Sequence, residues 1–415
     1  MLYGSLTLSR KNDYGDFINQ STGSDDLGGS ENELGSLKLR LAPDDQPWES
    51  NLAISNSCTE ASQDTYLDYN DVDGRTLSTN SGSPDPYLKR CTHSQSLSGS
   101  YTTEDWIIHL VTAFQQQDYQ RSFPNGSLVA TMPETWDQNI QGIRVATQGE
   151  HRRIDAVFGL YRQYTKEKLN LSYDLLSGSN YQTTDSHHTA QTLAAYSDLT
   201  WHVTEQWNIG GGLRFSHDEA KTNYNISQTG TDYRAQNSLN DNQLLGQIST
   251  GYQVSPSLLV YSRIAQGYKP AGFNITPAAS STATPYQEEK SLNYEIGSRY
   301  QKDDLQLHGA VFHTQTRNMQ LYSGAAGIQT LSNAGTANAT GLELSSSWQF
   351  MPVNMDINGL PSALNLPAVA HSMRAIKFLW FRHSAGGTSL SGFIDTTYGI
   401  LTPAFGGKHC RPTLF

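Results

Sequence analysis

The sequence lacks any apolar run of about 18 residues, so it offers no candidate for an ordinary transmembrane helix. Its mean hydropathy is only −0.53, and hydrophobic residues make up 36% of the chain. Low hydropathy is compatible with a transmembrane β-barrel, because only alternate residues of each strand face lipid. The formal net charge of −11 argues against nucleic acid as a partner.

The beginning of the chain lacks the features of a signal peptide, which are a basic first segment and a continuous apolar core. Residues 2–8 instead alternate like a strand. Two interpretations follow: a cytosolic protein, or a chain whose true beginning is absent. The alternation favours the second.

Sequence motifs of enzymes are also missing, since no HExxH, CxxC, GxSxG or P-loop pattern occurs. The pair His187–His188 lies in a Thr-, Asp- and Ser-rich stretch, which predicts solvated loop histidines. Asp71–Gly74 is similar to the start of a calcium loop but lacks the downstream Glu, so an acidic loop is predicted there. The sequence therefore predicts a protein that is not an enzyme and carries no cofactor.

The chain does contain strand-like runs, rich in Tyr, Val, Leu, Ile and Thr with a period of two residues. About fourteen such runs occur, and short and long connections alternate between them. Short turns on one side and longer loops on the other are typical of outer-membrane barrels, with the short turns facing the periplasm. The predicted long loops are the stretch after Cys58 to about Ser94, Asp118–Thr135, Tyr164–His188, His217–Asn242, Gly267–Glu289 and Asn318–Thr336.

Tryptophan placement supports the same architecture. Amphipathic aromatic rings prefer the level of lipid headgroups, so Trp beside one class of turn indicates an interfacial girdle. Five of the seven Trp lie close to predicted short turns: Trp48, Trp106, Trp201, Trp207 and Trp348.

Cysteine is scarce, with Cys58, Cys91 and Cys410 alone in the chain. Cys58 and Cys91 flank a polar, Asp-rich stretch. Their spacing alone leaves two alternatives open, a disulfide or two free thiols.

The sharpest local pattern is the segment YSRIAQGYKPAGFN at Tyr261–Asn274, followed about twenty residues later by EEKSLNYEIG at Glu288–Gly297. The pair resembles the TonB-dependent outer-membrane receptor family, whose barrels carry a GYK-x-GGFN segment and then an E-x-S-x-NYE-x-G strand. Gly341–Leu344 resembles a later G-x-E-x-E strand of that family. The matching motif residues are Gly267, Tyr268, Lys269, Pro270, Gly272, Phe273, Asn274, Asn293, Tyr294, Glu295 and Gly297.

The resemblance runs nearly unbroken from Leu2 to about Gln349, and it carries expectations about fold and setting. It implies an all-β, antiparallel transmembrane β-barrel in the bacterial outer membrane. That barrel would be incomplete, with about 14 of about 22 strands and no plug domain. It also implies that Cys58 and Cys91 form a disulfide in an external loop.

The expected partners come from the resemblance as well. They are a ferric siderophore, whose chelator supplies the iron ligands, the TonB protein in the intact relative, outer-membrane lipid and a bacteriocin. Ligand contacts are expected from aromatic residues in the long loops: Tyr268, Phe273, Tyr286 and Tyr322.

Departures from the family divide the chain into four parts. Residues 1–358 form the partial barrel, and 359–391 form a diverged segment that we interpret as frame-shifted. Residues 392–405 are a short barrel-like remnant, and 406–415 are a diverged tail. Within the second part, Leu360–Phe381 suits no strand.

The family's signal peptide, TonB box and plug have no counterpart in the sequence, so a truncated or non-functional receptor is expected. Two other barrel functions remain as alternatives, a non-specific porin and a surface adhesion barrel.

Overall fold

The computed structural model describes residues 1–62, 74–78, 82–125, 127–149, 152–323, 330–350, 353–365, 377–385 and 388–395. All regular elements in these ranges are β-strands. No described helix is long and apolar enough to cross a membrane.

The strands follow one another along the chain. The first eleven are β1 (Leu2–Asp13), β2 (Phe17–Asn19), β3 (Ser24–Leu27), β4 (Ser30–Leu41), β5 (Trp48–Ala61), β6 (Thr76–Leu77), β7 (Tyr87–Thr102), β8 (Trp106–Asn125), β9 (Leu128–Thr147), β10 (Ile154–Leu175) and β11 (Asn180–His202). The others are β12 (Trp207–Gln228), β13 (Thr231–Ser255), β14 (Leu258–Lys269), β15 (Glu289–Lys302), β16 (Leu305–Arg317), β17 (Gln320–Ser323), β18 (Thr330–Asn333), β19 (Ala337–Phe350), β20 (Val353–Asn365), β21 (Lys377–Ala385) and β22 (Thr388–Asp395).

Seventeen of these strands form one antiparallel meander, in which each strand pairs with the next long strand along the chain. The short strands lie outside it: β2, β3 and β6 form one small sheet, and β17 pairs with β18. The pairing of β2 with β6 is parallel, unlike the antiparallel pairing expected throughout. The predicted fold class is confirmed.

The predicted strand count is confirmed for the first part of the chain, because fourteen strands of the meander end by Phe350. The expectation that Leu360–Phe381 suits no strand is wrong at both ends of that segment. There β20 continues to Asn365 in register with β19, and β21 begins at Lys377. These strands form through backbone hydrogen bonds to neighbouring strands, although their apolar and polar side chains do not alternate. The remnant around Gly392 is a strand, β22, and residues 396–415 lie outside the described residues.

Three of the predicted long loops are wrong, because they are continuous β-hairpins. The pairing of β8 with β9 reaches Asn125 and Leu128, and that of β12 with β13 reaches Gln228 and Thr231. The pairing of β10 with β11 reaches Asp174 and Asn180. Long connections remain at 270–288 and 318–336, the second of which contains the small hairpin of β17 and β18. Asp71 and Asp73, the start of the possible calcium loop, lie outside the described residues.

These hairpins have the composition of loops, and β12 shows the reason: the polarity of its two faces inverts along its length. Near the short turn, β12 exposes Leu213 and Phe215 to the outside, at 58% and 50% of their surface. Farther along the same strand, Lys221 is exposed on that face, whereas Tyr224 and Ile226 are buried on the opposite one. The inversion marks a membrane boundary, since lipid requires apolar residues outside and water requires polar ones.

We call residues 207–215 of β12, and the residues in register with them, the membrane section, and the strand parts beyond it the external section. The membrane section is close to the nine to eleven or so residues that a tilted strand needs to cross a bilayer. Its edge beside the short turns carries exposed Trp106, Trp201 and Trp207, as the girdle predicts.

Candidate functional site

Residues 270–288, which we call the crossing loop, cover the inner face of the external section, and we call this covered side of the sheet the chamber. This loop folds back over the inner face of the sheet and contacts two walls. On one wall, Ile275 packs against a buried cluster made of Phe123, Ala130, Met132, Leu169, Leu171 and Tyr173. On the other, Phe273 and Ala283 are buried together with Ala220, Tyr224 and Ile226.

The base of the crossing loop is fastened by backbone pairing. Gly272 and Tyr286 exchange both backbone hydrogen bonds, at 3.2 and 2.9 Å between nitrogen and oxygen. Just below them, Lys269 Nζ lies 3.0 Å from Glu289 Oε1. The Tyr286 ring lies against Gly272, and a Cβ atom there would be 2.5 Å from the Tyr286 hydroxyl oxygen.

The connection after β16 holds the loop from its other side. Asn274 donates from Nδ2 to the Leu331 carbonyl at 2.9 Å and accepts from the Leu331 amide at 2.6 Å. Asn333 accepts from the Gln287 amide at 2.7 Å. Gln320 donates to the carbonyls of Pro270 and Gln287, each at 3.0 Å. The crossing loop is therefore an ordered part of the chamber.

The inner wall of the external section carries a group of ionisable residues. Glu134 on β9 and Glu167 on β10 share a hydrogen bond, and Arg121 on β8 lies 3.7 Å from Glu134, between Nη2 and Oε2. Burial raises the pKa of Glu167 to about 7, with a further rise from the charge of Glu134. Burial also raises the pKa of Glu134, and Arg121 opposes that rise. The two carboxyl groups thus share a proton near neutral pH.

His188 lies beside Glu167 on the next strand, β11. Its Nε2 is 2.8 Å from the Thr222 hydroxyl oxygen, and burial lowers the pKa of its ring to about 4. His188 is therefore neutral at pH 7. The prediction of two solvated loop histidines is wrong for His188, because strand alternation turns it inward, while His187 points outward beside Asp185.

The lumen below the chamber is lined by hydrogen-bonded polar side chains. Tyr268 donates to Asp218 Oδ2 at 2.7 Å, and Thr192 donates to Asp218 Oδ1 at 2.5 Å. Farther along, the Tyr261 hydroxyl donates to Glu295 Oε1 at 2.8 Å. In the part of the chain that the structure describes, no three His, Cys, Asp or Glu side chains are placed to bind a metal ion.

The four predicted ligand contacts occupy different environments. Phe273 is 8% exposed within the packed wall, and Tyr268 is engaged with Asp218. Tyr286 lies against Gly272 at the loop base, and Tyr322 is 69% exposed. Tyr286 and Tyr322 are close enough for the charge of one to influence the pKa of the other, so these two share one side of the chamber.

Two glycines of the motif leave room for side chains of the strand opposite them. Gly267 faces Ser291, where an added Cβ would be 2.8 Å from the hydroxyl oxygen, and Gly297 accommodates the Tyr261 ring.

Cys58 and Cys91 face each other on β5 and β7 and are joined by a disulfide. This bond lies within paired strands.

Arg121, Glu134, Glu167 and Tyr173 were missed at the sequence level, because all four fall inside stretches predicted as loops. The sequence does carry a signal for these residues, because every second residue from Glu167 to Tyr173 faces inward, as in a strand.

Residues 2–400 match the family described as TonB dependent receptor-like, beta-barrel. The chain belongs to this family. Its members are outer-membrane receptors, so the predicted location in the outer membrane is confirmed.

Two curated relatives show where in the family the chain falls. The pesticin receptor of Yersinia enterocolitica serotype O:8 / biotype 1B is 53% identical over 418 residues. The pesticin receptor of Yersinia pestis is 52% identical over the same length. Each alignment covers 100% of this chain and 62% of the relative, so the chain spans less than two thirds of their length.

Solved structures agree. The ferric yersiniabactin uptake receptor FyuA from Yersinia pestis has a TM-score of 0.84 and 50% identity, over 92% of this chain and 61% of that one. The ferric citrate transporter FecA has a TM-score of 0.67 at 15% identity, over 94% of this chain and 61% of that one, which shows a shared fold alone. The predicted resemblance to the TonB-dependent outer-membrane receptor family is confirmed.

Proposed function

We propose that the chain is the wall of an outer-membrane receptor that binds a ferric siderophore of the yersiniabactin type. In the intact receptor, uptake is energised by TonB, and a bacteriocin uses the same external surface. The proposal assigns the chain no catalysis and no cofactor, with iron entering only as part of the chelate. The observation that carries it is the ordered loop packed over the inner wall of the external section, together with the relatives named above.

The chamber suits a chelate better than free iron. Its lining combines tyrosines with a guanidinium group, and rings and planar cations recognise aromatic, oxygen-rich ligands. A chelator that supplies all the iron ligands leaves the protein to recognise only the outside of the complex. The outward-facing apolar residues lie in the membrane section, so the chamber, which belongs to the external section, lies above the membrane.

Binding by the purified chain tests the proposal. The chain is refolded in detergent micelles and titrated with ferric yersiniabactin, ferric citrate and a ferric catecholate, and binding is followed by quenching of Trp fluorescence. Trp136 reports on the chamber, because it is in register with Glu167 on the inner wall. We expect saturable binding of ferric yersiniabactin and at least tenfold weaker binding of the other two chelates, a difference of about 1.4 kcal/mol.

A matched pair of tyrosine variants places the binding in the chamber. Tyr286→Phe removes a hydroxyl at the loop base, whereas Tyr14→Phe removes one that is 86% exposed on a distant turn. Weaker binding by the first variant alone is expected. Equal response to all three chelates, or to none, would contradict a specific receptor. Equal responses would favour the porin alternative, in which passage depends on size and charge.

A further inference from the structure

Two buried polar atoms on one chamber wall have no hydrogen-bond partner among the described residues. They are Arg121 Nε on β8 and the Tyr173 hydroxyl on β10. Tyr173 is only 6% exposed, and the two groups are close enough for Arg121 to influence the pKa of that phenol. A buried donor left without an acceptor costs about 1–3 kcal/mol, so native proteins usually provide one.

The guanidinium group is also incompletely neutralised. Its nearest carboxylate, Glu134, is 3.7 Å away, which is an ion-pair distance but longer than a hydrogen bond. Its other contact is the face of the Tyr119 ring, 5.0 Å from the guanidinium carbon. Arg121 therefore keeps donor capacity that the protein itself does not use.

The surroundings set the charge that the site accepts. Glu134 and Glu167 share a proton, so with Arg121 the group is close to neutral below pH 7. The other groups facing Glu167 are His188, which is neutral, and Tyr286 of the crossing loop. A cation would be opposed by Arg121, and a polyanion by Glu134. One singly charged acceptor oxygen fits.

We propose that Arg121 and Tyr173 form a subsite that binds a carboxylate or phenolate oxygen of the ferric chelate. The inference rests on the proposed function and names the chemistry of recognition within that chamber. Arg121 donates from Nε and Tyr173 donates from its hydroxyl, both to the same oxygen-bearing group. Two donors on β8 and β10, the strands on either side of β9 in a rigid sheet, hold their geometry before the ligand arrives, which limits the entropic cost of binding.

Access to this subsite depends on the crossing loop. Ile275 packs against the cluster that contains Tyr173, so the loop reaches the wall that carries the subsite. The strands themselves need not move, because displacement of Ile275 exposes this wall.

Arg121→Gln and Tyr173→Phe test the subsite, the first removing the guanidinium group with its charge and the second removing the hydroxyl alone. In the micelle titration with ferric yersiniabactin, each variant is expected to bind about tenfold more weakly than the wild type. Arg10→Gln and Tyr14→Phe, on exposed side chains outside the chamber, serve as controls and should bind like the wild type. Tyr173→Phe should not lower the melting temperature, because it removes a buried hydroxyl without a partner.

The pH dependence of binding gives a readout that a purely structural role would not move. Affinity of the wild type should fall as the pH rises through about 7, because Glu167 then ionises beside the bound anion. Glu167→Gln should bind with little change across that range. If the wild type binds while Arg121→Gln and Tyr173→Phe bind equally well, the subsite is wrong and the receptor function stands. If the wild type binds no ferric chelate, both proposals fail.

Discussion

At the scale of residues, tyrosine rings repeatedly lie against glycines directly across a strand pair. Tyr196 covers Gly159, and Tyr261 covers Gly297, where added Cβ atoms would be 2.4 and 2.6 Å from the respective hydroxyl oxygens. A glycine on the inner face allows a large ring to lie flat along the sheet, which keeps the lumen open and the strand curved. Glycine in the family motif is therefore explained by the space that the facing side chain needs.

The buried Glu167 and His188 predict opposite dependences of stability on pH. The folded state binds the Glu167 proton more tightly than the unfolded state, so this residue makes stability fall as pH rises from about 4.5 to about 7. His188 is protonated less readily when folded, so it makes stability rise with pH between about 4 and 6.5.

Removing one of these ionisable side chains should reveal the pH dependence of stability that the other one causes. In Glu167→Gln, urea unfolding should show stability that rises more with pH, between pH 4.5 and 6.5, than it does in the wild type. In His188→Gln, stability should only decrease over the same range. Identical pH profiles for both variants and the wild type would contradict the buried placement of the two side chains.

The disulfide predicts a simple labelling pattern. After refolding in air, a thiol reagent should modify Cys410 alone, and all three cysteines after reduction. Cys58→Ser should lower the free energy of unfolding by about 2–4 kcal/mol, because the bond constrains the unfolded chain. Cys410→Ser is the matched control and should leave no thiol to label without reductant. Full labelling of Cys58 and Cys91 before reduction would argue for free thiols.

At the scale of elements, the alternation of apolar and polar residues predicted the membrane sections of the strands. It did not predict the external sections. The first fourteen strands of the meander could be counted because lipid imposes apolar residues on one face. Beyond Phe215 the outer face of β12 turns polar, as in Lys221, and the stretch then has the composition of a loop. The inward packing of Tyr224 and Ile226 depends on the crossing loop, which no local pattern indicates.

The crossing loop offers a test of this element. Gly272→Ala places a Cβ 2.5 Å from the Tyr286 hydroxyl oxygen and should displace the ring, loosening the loop base. Hydrogen exchange of backbone amides in residues 273–288 should become faster, while β8–β13 stay protected. Gly211→Ala is the control, because its Cβ would meet no atom within 4 Å. Unchanged exchange in Gly272→Ala would show that the base does not depend on this contact.

At the scale of the whole molecule, the meander has two unpaired edges within the described residues, since β1 pairs only with β4 and β22 only with β21. In a bilayer, each unpaired backbone group of such an edge that faces hydrocarbon costs several kcal/mol. Lipid-facing side chains of β1 such as Leu6 and Leu8 are 69% and 76% exposed beside that edge. Within the described residues, the sheet therefore leaves two edges that are unfavourable in a membrane.

We accordingly expect the chain expressed alone to give no heat-modifiable species in outer-membrane fractions. Closed barrels resist unfolding by detergent and migrate differently before and after boiling, whereas an open sheet with two edges unfolds in both conditions. The Yersinia pestis pesticin receptor, expressed from the same vector, is the positive control. Iron-limited growth of a receptor-deficient strain on ferric yersiniabactin gives a second readout, and no growth is expected. A mobility shift together with restored growth would show that this chain closes and works without additional strands.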